Sequence, residues 1–88
     1  MKLKIASRNW SDDDGVSHRF DYYLLTEPVE TDHLCCETYG VYIEDDTRHS
    51  ACIPSITTNA TRIDQLMTLL VTHLVGPAGL EDVLSDWL

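Results

Sequence analysis

The chain has 88 residues, of which 15 are Asp or Glu and only six are Lys or Arg, for a formal net charge of -9. That length makes one domain with a small core, and a hydrophobic content of 43% excludes a disordered acidic tail. A field of this sign repels nucleic acid and anionic membranes and attracts basic protein surfaces.

Lys2 to Arg8 alternates, with Leu3 and Ile5 on one face and Lys2, Lys4 and Arg8 on the other, the period of a half-buried strand. Met1-Lys2-Leu3-Lys4-Ile5 lacks the apolar run of a signal peptide. Ser11-Asp12-Asp13-Asp14-Gly15 supplies turn residues and reads as a loop. Ser17 to Thr26 reads as a second strand with His18, Phe20, Tyr22 and Leu24 on one face. Pro28 removes a donor and restricts Glu27, so the strand is expected to break there.

Leu34 to Glu44 reads as the third strand, with Tyr39, Val41 and Ile43 sharing a face and Tyr42 pointing the other way. Gly40 inside it suggests a bulge or a close approach of another backbone. A two-residue turn at Asp45-Asp46 leads to a fourth strand from Arg48 to Thr57, where Pro54 argues for a sheet edge or an early end. Connections this short permit only antiparallel neighbours.

Thr58-Asn59-Ala60-Thr61 offers several helix caps, and Thr61 with Asp64 has capping-box spacing. Ile63, Leu66, Met67, Leu70 and Leu74 then fall on one stripe, ended by Gly76-Pro77. Leu80, Val83, Leu84, Trp87 and Leu88 repeat the spacing in a second short helix. The longest apolar stretch in the first helix, Leu69-Leu70-Val71, is too short to span a membrane. The expected fold is therefore α+β in a single domain, 1-88. A four-stranded antiparallel meander over about 2-58 is followed by two C-terminal helices, about 61-75 and 79-88, packed on one face.

Cys36-Glu37-Thr38-Tyr39-Gly40-Val41-Tyr42-Ile43-Glu44 resembles the strand motif of a small uncharacterised domain family of Gram-positive, mostly clostridial, bacteria and their mobile elements. The segment Leu80-Glu81-Asp82-Val83-Leu84-Ser85-Asp86-Trp87-Leu88 is similar to that family's closing helix. With Tyr22-Tyr23-Leu24-Leu25 the resemblance covers most of residues 20 to 88, leaving the Asp12–Asp14 loop outside it. It implies a compact cytosolic bacterial or phage domain and brings no functional residues with it.

Chemistry-bearing residues are few. His33, Cys35, Cys36, His49 and Cys52 hold the ligand types zinc uses. The two-residue turn would set Tyr39 opposite Cys52, leaving Cys35 roughly 13 Å along the ladder at about 3.3 Å per residue. No metal is expected. Three cysteines, two of them adjacent, do not make a disulfide framework and read as reduced thiols of a cytoplasmic protein. Cys52 carries no nucleophile signature. Asp12-Asp13-Asp14-Gly15 lacks the spacing and distal Glu of a calcium loop. No phosphate-cradling loop is present, and six basic residues cannot neutralise a phosphate track. The chain is not expected to be an enzyme, and no cofactor is expected.

What remains is acid and aromatic. Asp12, Asp13, Asp14, Glu44, Asp45 and Asp46, with Trp10 and Tyr23, are the candidate partner-binding residues, since Tyr and Trp beside carboxylates suit an Arg-rich surface. The expected function is a small acidic, non-enzymatic protein-binding module. Its sharpest form is a phage-encoded, anti-CRISPR-like inhibitor that mimics nucleic acid on a nucleic-acid-binding enzyme. The alternative is a homodimeric structural or regulatory domain of the cytoplasm that uses Leu69, Val71 and Val75, off the main helix stripe.

Overall fold

The computed structural model describes residues 1–30 and 35–87. Strands β1 (Lys2–Ser11), β2 (Ser17–Glu30), β3 (Cys35–Asp45) and β4 (Ser50–Thr57) form one antiparallel sheet in the order β1-β2-β3-β4. Helix α1 (Ala60–Thr72), a single 3-10 turn at Pro77–Gly79 and helix α2 (Leu80–Trp87) follow. This is the α+β meander with two C-terminal helices that the hydrophobic periods predict.

The core lies between one sheet face and the helices. Ala6, Tyr22, Ile43 and Ala51 stand opposite one another across the four strands; Leu24, Val41 and Ile53 form the next row. Tyr22, Val41 and Ile43 are fully buried against Ile63, Leu66, Met67 and Leu70 of α1 and Leu80 and Leu84 of α2. Removing these apolar surfaces from water drives the layers together. Leu69, Val71 and Val75, although off the main stripe, are half-buried and pack on the same core.

β1 departs from the simple alternation. A bulge between Lys4 and Ala6 inserts Ile5 as an extra residue and reverses the phase of the strand beyond it. Leu3 and Ile5 are left 42% and 49% exposed. Beyond the bulge Ala6, Arg8 and Trp10 take the helix-covered face. Arg8 Nη1 donates to the Val71 carbonyl at the end of α1, 2.7 Å away. A guanidinium there adds a second donor to a carbonyl at the negative end of the helix dipole, in a helix whose last turn holds no basic residue of its own.

Pro28 does not break β2, which continues with Pro28 opposite Glu37. β1 has ended by then: Met1 and Thr26 exchange the last two bonds, with Thr26 N donating to Met1 O at 2.8 Å and the N-terminal amine to Thr26 O at 2.6 Å. The proline therefore lies where β2 has a neighbour on one side only, and its missing N–H costs no ladder bond. Gly40 and Pro54 meet as the strand pattern suggests. A Cβ on Gly40 would lie 2.5 Å from Ile53 O and 2.6 Å from Pro54 Cα. β4 bulges around this contact, with Ser55 at φ 57°.

The helix ends are also specific. Asn59 caps α1, its Oδ1 accepting from Thr61 N at 2.9 Å and Arg62 N at 3.1 Å. α1 stops at Thr72, ahead of Gly76-Pro77. Leu74 N bonds Val71 O and Val75 N bonds Leu70 O, with Leu74 at φ 54°. That is a Schellman closure with leucine where glycine is usual. His73 is the exposed C-cap.

Candidate functional site

The two acidic knots, far apart in sequence, are brought together at one end of the sheet. The first loop is wired by Asp12, whose Oδ1 accepts from Asp14 N and Val16 N, both at 2.9 Å, while Gly15 turns the chain at φ 79°. The second loop is not the two-residue turn that the Asp45-Asp46 pair predicts. Asp45 N bonds His49 O at 2.9 Å, and Glu44 faces Ser50, not Thr47. Asp45 Oδ1 accepts from Thr47 N, Thr47 Oγ1 and His49 N at 2.9, 2.7 and 2.9 Å. Four residues make the turn because one carboxylate can satisfy three donors only if the chain loops around it; Arg48 takes φ 70° to close it. Tyr42 consequently faces Cys52, not His49.

His18 ties the two loops to each other. Its Nε2 lies 2.8 Å from Asp12 Oδ2 and its Nδ1 3.6 Å from Asp46 Oδ1. Hydrogen bonding to Asp12, followed by the charge of Asp46, raises the imidazole above its ordinary value against some loss of solvent. The Asp12 carboxyl is held below its ordinary value by His18 first and by the Val16 amide next. Backbone adds one further link, from Asp46 N to Arg19 O at 3.2 Å.

Aromatic rings line the helix side of this end. Trp10 stacks on His18, with centroids 4.6 Å apart and planes at 26°, and leans on Phe20 at 5.5 Å. The indole Nε1 is buried with no hydrogen-bond partner among the described residues. A cleft of about 600 Å³ opens beside these rings, between Thr47, His49 and Asp45 on the turn and Gly76-Pro77-Ala78 ahead of α2. Gly76 is pressed onto Phe20: a Cβ there would stand 2.7 Å from Phe20 Cζ.

Six of the eight candidate residues thus share this end. Asp13, Asp14 and Asp46 are exposed, while Asp12 and Asp45 each spend Oδ1 on their own turn and Trp10 forms part of the cleft wall. Glu44 and Tyr23 belong elsewhere, on the sheet face away from the helices. There Tyr42 donates to Glu44 Oε2 at 3.0 Å, Tyr23 meets Tyr42 edge to face at 5.4 Å, and Lys2 sits over both rings at 4.8 and 4.3 Å. Asp21 is buried on the same face; burial pushes its carboxyl up, but the Ser7 hydroxyl, Lys4 and Arg19 outweigh that and hold it low. His18, Phe20, Thr47, His49 and Pro77 are the site residues that sequence reasoning missed. A histidine on the inward face of a strand that follows an aspartate loop was the available signal for His18.

The other chemical leads take definite places. Thr47 Oγ1 lies 2.7 Å from His49 Nδ1, but the same hydroxyl donates to Asp45 within one exposed turn, which is turn wiring. Among the described residues no three His, Cys, Asp or Glu side chains gather as metal ligands, and Cys36 and Cys52 are free thiols. His33 and the Cys35 side chain lie outside the described residues. No helix among the described residues is long and apolar enough to cross a membrane.

Neither a curated protein nor a solved structure matches the chain. A family model does, over residues 1–88, and so includes the Asp12–Asp14 loop that the motif resemblance left out. The chain belongs to that family, DUF6514, a family of unknown function.

Proposed function

We propose that this chain is a small acidic binding module of the cytoplasm that works without chemistry of its own, and that it docks its loop end onto a basic surface of another protein. The observation that carries this reading is the convergence of Asp12–Asp14 with Asp45-Asp46 around His18, beside an aromatic cleft, in a chain of net charge -9. Clustered carboxylates raise association rates and select for positive partners. Aromatic rings at the centre of the patch supply contact area at low entropic cost.

The narrower form is a phage-encoded inhibitor, anti-CRISPR-like, whose carboxylates occupy the site of phosphates on a nucleic-acid-binding enzyme. Its support is the charge and the paired loops, and it requires that DNA or RNA compete with the chain for the partner.

The test separates place from charge. A partner captured from bacterial lysate is titrated with the parent chain and with Asp13→Lys/Asp14→Lys/Asp46→Lys, three exposed positions outside the turn wiring. An equally charged control, Asp64→Lys/Asp82→Lys/Asp86→Lys, alters the helices. The loop variant should weaken binding roughly tenfold or more and flatten its salt dependence, with little change in the control. Equal losses in both would show that the loop end is not the contact.

A further inference from the structure

The cleft beside the acidic loops has a composition that selects more narrowly than charge. Its volume, about 600 Å³, is in the range of formed ligand sites. Trp10, His18 and Phe20 make one wall and Pro77 with Ala78 another, while Asp45 faces in from the turn. The turn uses Oδ1 of that carboxylate, and among the described residues Oδ2 is paired with His49 Nδ1 alone, at 3.7 Å. Asp12 and Asp46 stand behind the ring of His18.

Trp10 Nε1 is buried without an acceptor among the described residues, a loss of about 1–3 kcal/mol that phenylalanine at this position would avoid. An indole N–H only donates and a guanidinium has no acceptor, so Trp10 can serve a cation through the face of its ring alone. The opposite wall is held close by Gly76, where any side chain would collide with Phe20.

We propose that this cleft is a socket for an arginine side chain of the partner protein, the guanidinium lying against the aromatic wall and hydrogen-bonded to Asp45 Oδ2. The inference rests on the docking surface proposed above and names its central contact. Arginine fits better than lysine for two reasons. Its planar, weakly hydrated head stacks on aromatic faces, and its fork of donors suits a carboxylate. Arg48 and the two histidines at this end oppose a cation; the carboxylates of Asp12, Asp45 and Asp46 outweigh them while His18 is shared between two of the three. Room beyond the guanidinium accommodates the residues flanking it.

The experiment uses the full chain carrying Trp87→Phe, so that Trp10 is the only indole. Capped Gly-Gly-Arg-Gly-Gly is titrated against it and followed by the Trp10 indole N–H and the Gly76 and Gly79 amides in NMR spectra. The same peptide with citrulline, which keeps the shape and loses the charge, is the comparison. The arginine peptide should shift these signals saturably, the lysine peptide several-fold more weakly, and citrulline about tenfold more weakly or not at all. Asp45→Asn keeps the acceptor that builds the turn and removes the charge, so it should lose about fivefold or more with unchanged turn amide shifts. Asp64→Asn, on the exposed face of α1, should change nothing.

Equal response to arginine and citrulline overturns the socket. So do shifts confined to the Asp13 and Asp14 amides, although the basic-surface reading then survives. Failure of the loop charge reversals to weaken a protein partner overturns that broader reading by a separate measurement.

Discussion

Tyr22 holds sheet and helix layer together through one atom. Its ring is fully buried at the centre of the core and its hydroxyl donates to Val75 O at 2.8 Å, just past the end of α1. Burial pushes the phenol up to about 12. Its ordinary value is about 10, so folding is favoured by its neutral form and stability falls as pH rises above about 10. Tyr22→Phe should cost about 1 kcal/mol near neutral pH, read from denaturant midpoints, and should reduce the alkaline loss. His18 follows the same sign, at lower pH, in the acidic loops. Its raised value makes its contribution complete below about pH 6.5 and lost as pH climbs through the folded value. Asp12, held low, contributes above about pH 4 and loses that contribution in acid. The clasp between the loops is therefore tightest between those limits. Amide exchange at Asp14 and Val16, corrected for its intrinsic pH dependence, should show more protection near pH 5.5 than near pH 8.5, and His18→Gln should abolish the difference.

Elements were legible in the sequence where one period ran undisturbed. The inward set of β2, from His18 through Leu24, and the stripe from Ile63 to Leu70 both follow from spacing alone. Misreadings arise where a side chain or a neighbour replaces a backbone rule. Ile5 resets the phase of β1 because a bulge leaves no mark in the alternation before it. Asp45 lengthens its turn by accepting three donors, and Leu74 ends α1 in a conformation that costs a non-glycine residue roughly 1–2 kcal/mol. Pro28 stays in a strand because β1 has already stopped. The acids of the site were visible in composition, but their meeting was not, since it depends on the length of both turns and on His18 between them. Asn59, one of several caps on offer, is the one used. Asn59→Ala should lower stability by about 1 kcal/mol, whereas Thr58→Ala should be nearly silent in the same thermal melts.

Across the whole molecule the charges are sorted. Lys2, Lys4 and Arg19 lie with Tyr23 and Tyr42 on the open sheet face, Arg8 is drawn under the helices and Arg62 lies 4.3 Å over the Trp87 ring. Five carboxylates, Asp12, Asp13, Asp14, Asp45 and Asp46, crowd the loop end against Arg48, and a net charge of -9 repels itself in the folded state. Raising ionic strength from about 0.01 M to about 0.1 M shortens the screening length from about 30 Å to about 10 Å. The melting temperature should therefore rise over that interval, and by less in the triple loop variant, where the crowding of carboxylates is already relieved. A fall with salt would mean that attractive pairs such as those of Asp21 outweigh the repulsion.

The order in which the chain visits its layers has a consequence for how it is made. Each strand pairs with the next, so during synthesis the hairpins have their partners at hand as soon as they emerge. The helices that cover Tyr22, Val41 and Ile43 come later, and Leu80 and Leu84 later still. Until α2 is released the sheet shows water a bare apolar face with open edges at β1 and β4, the kind of surface that recruits chaperones or neighbouring chains. The dense acid of the two loops is present from that first stage, and mutual repulsion between nascent copies protects the half-built sheet before it has a cover.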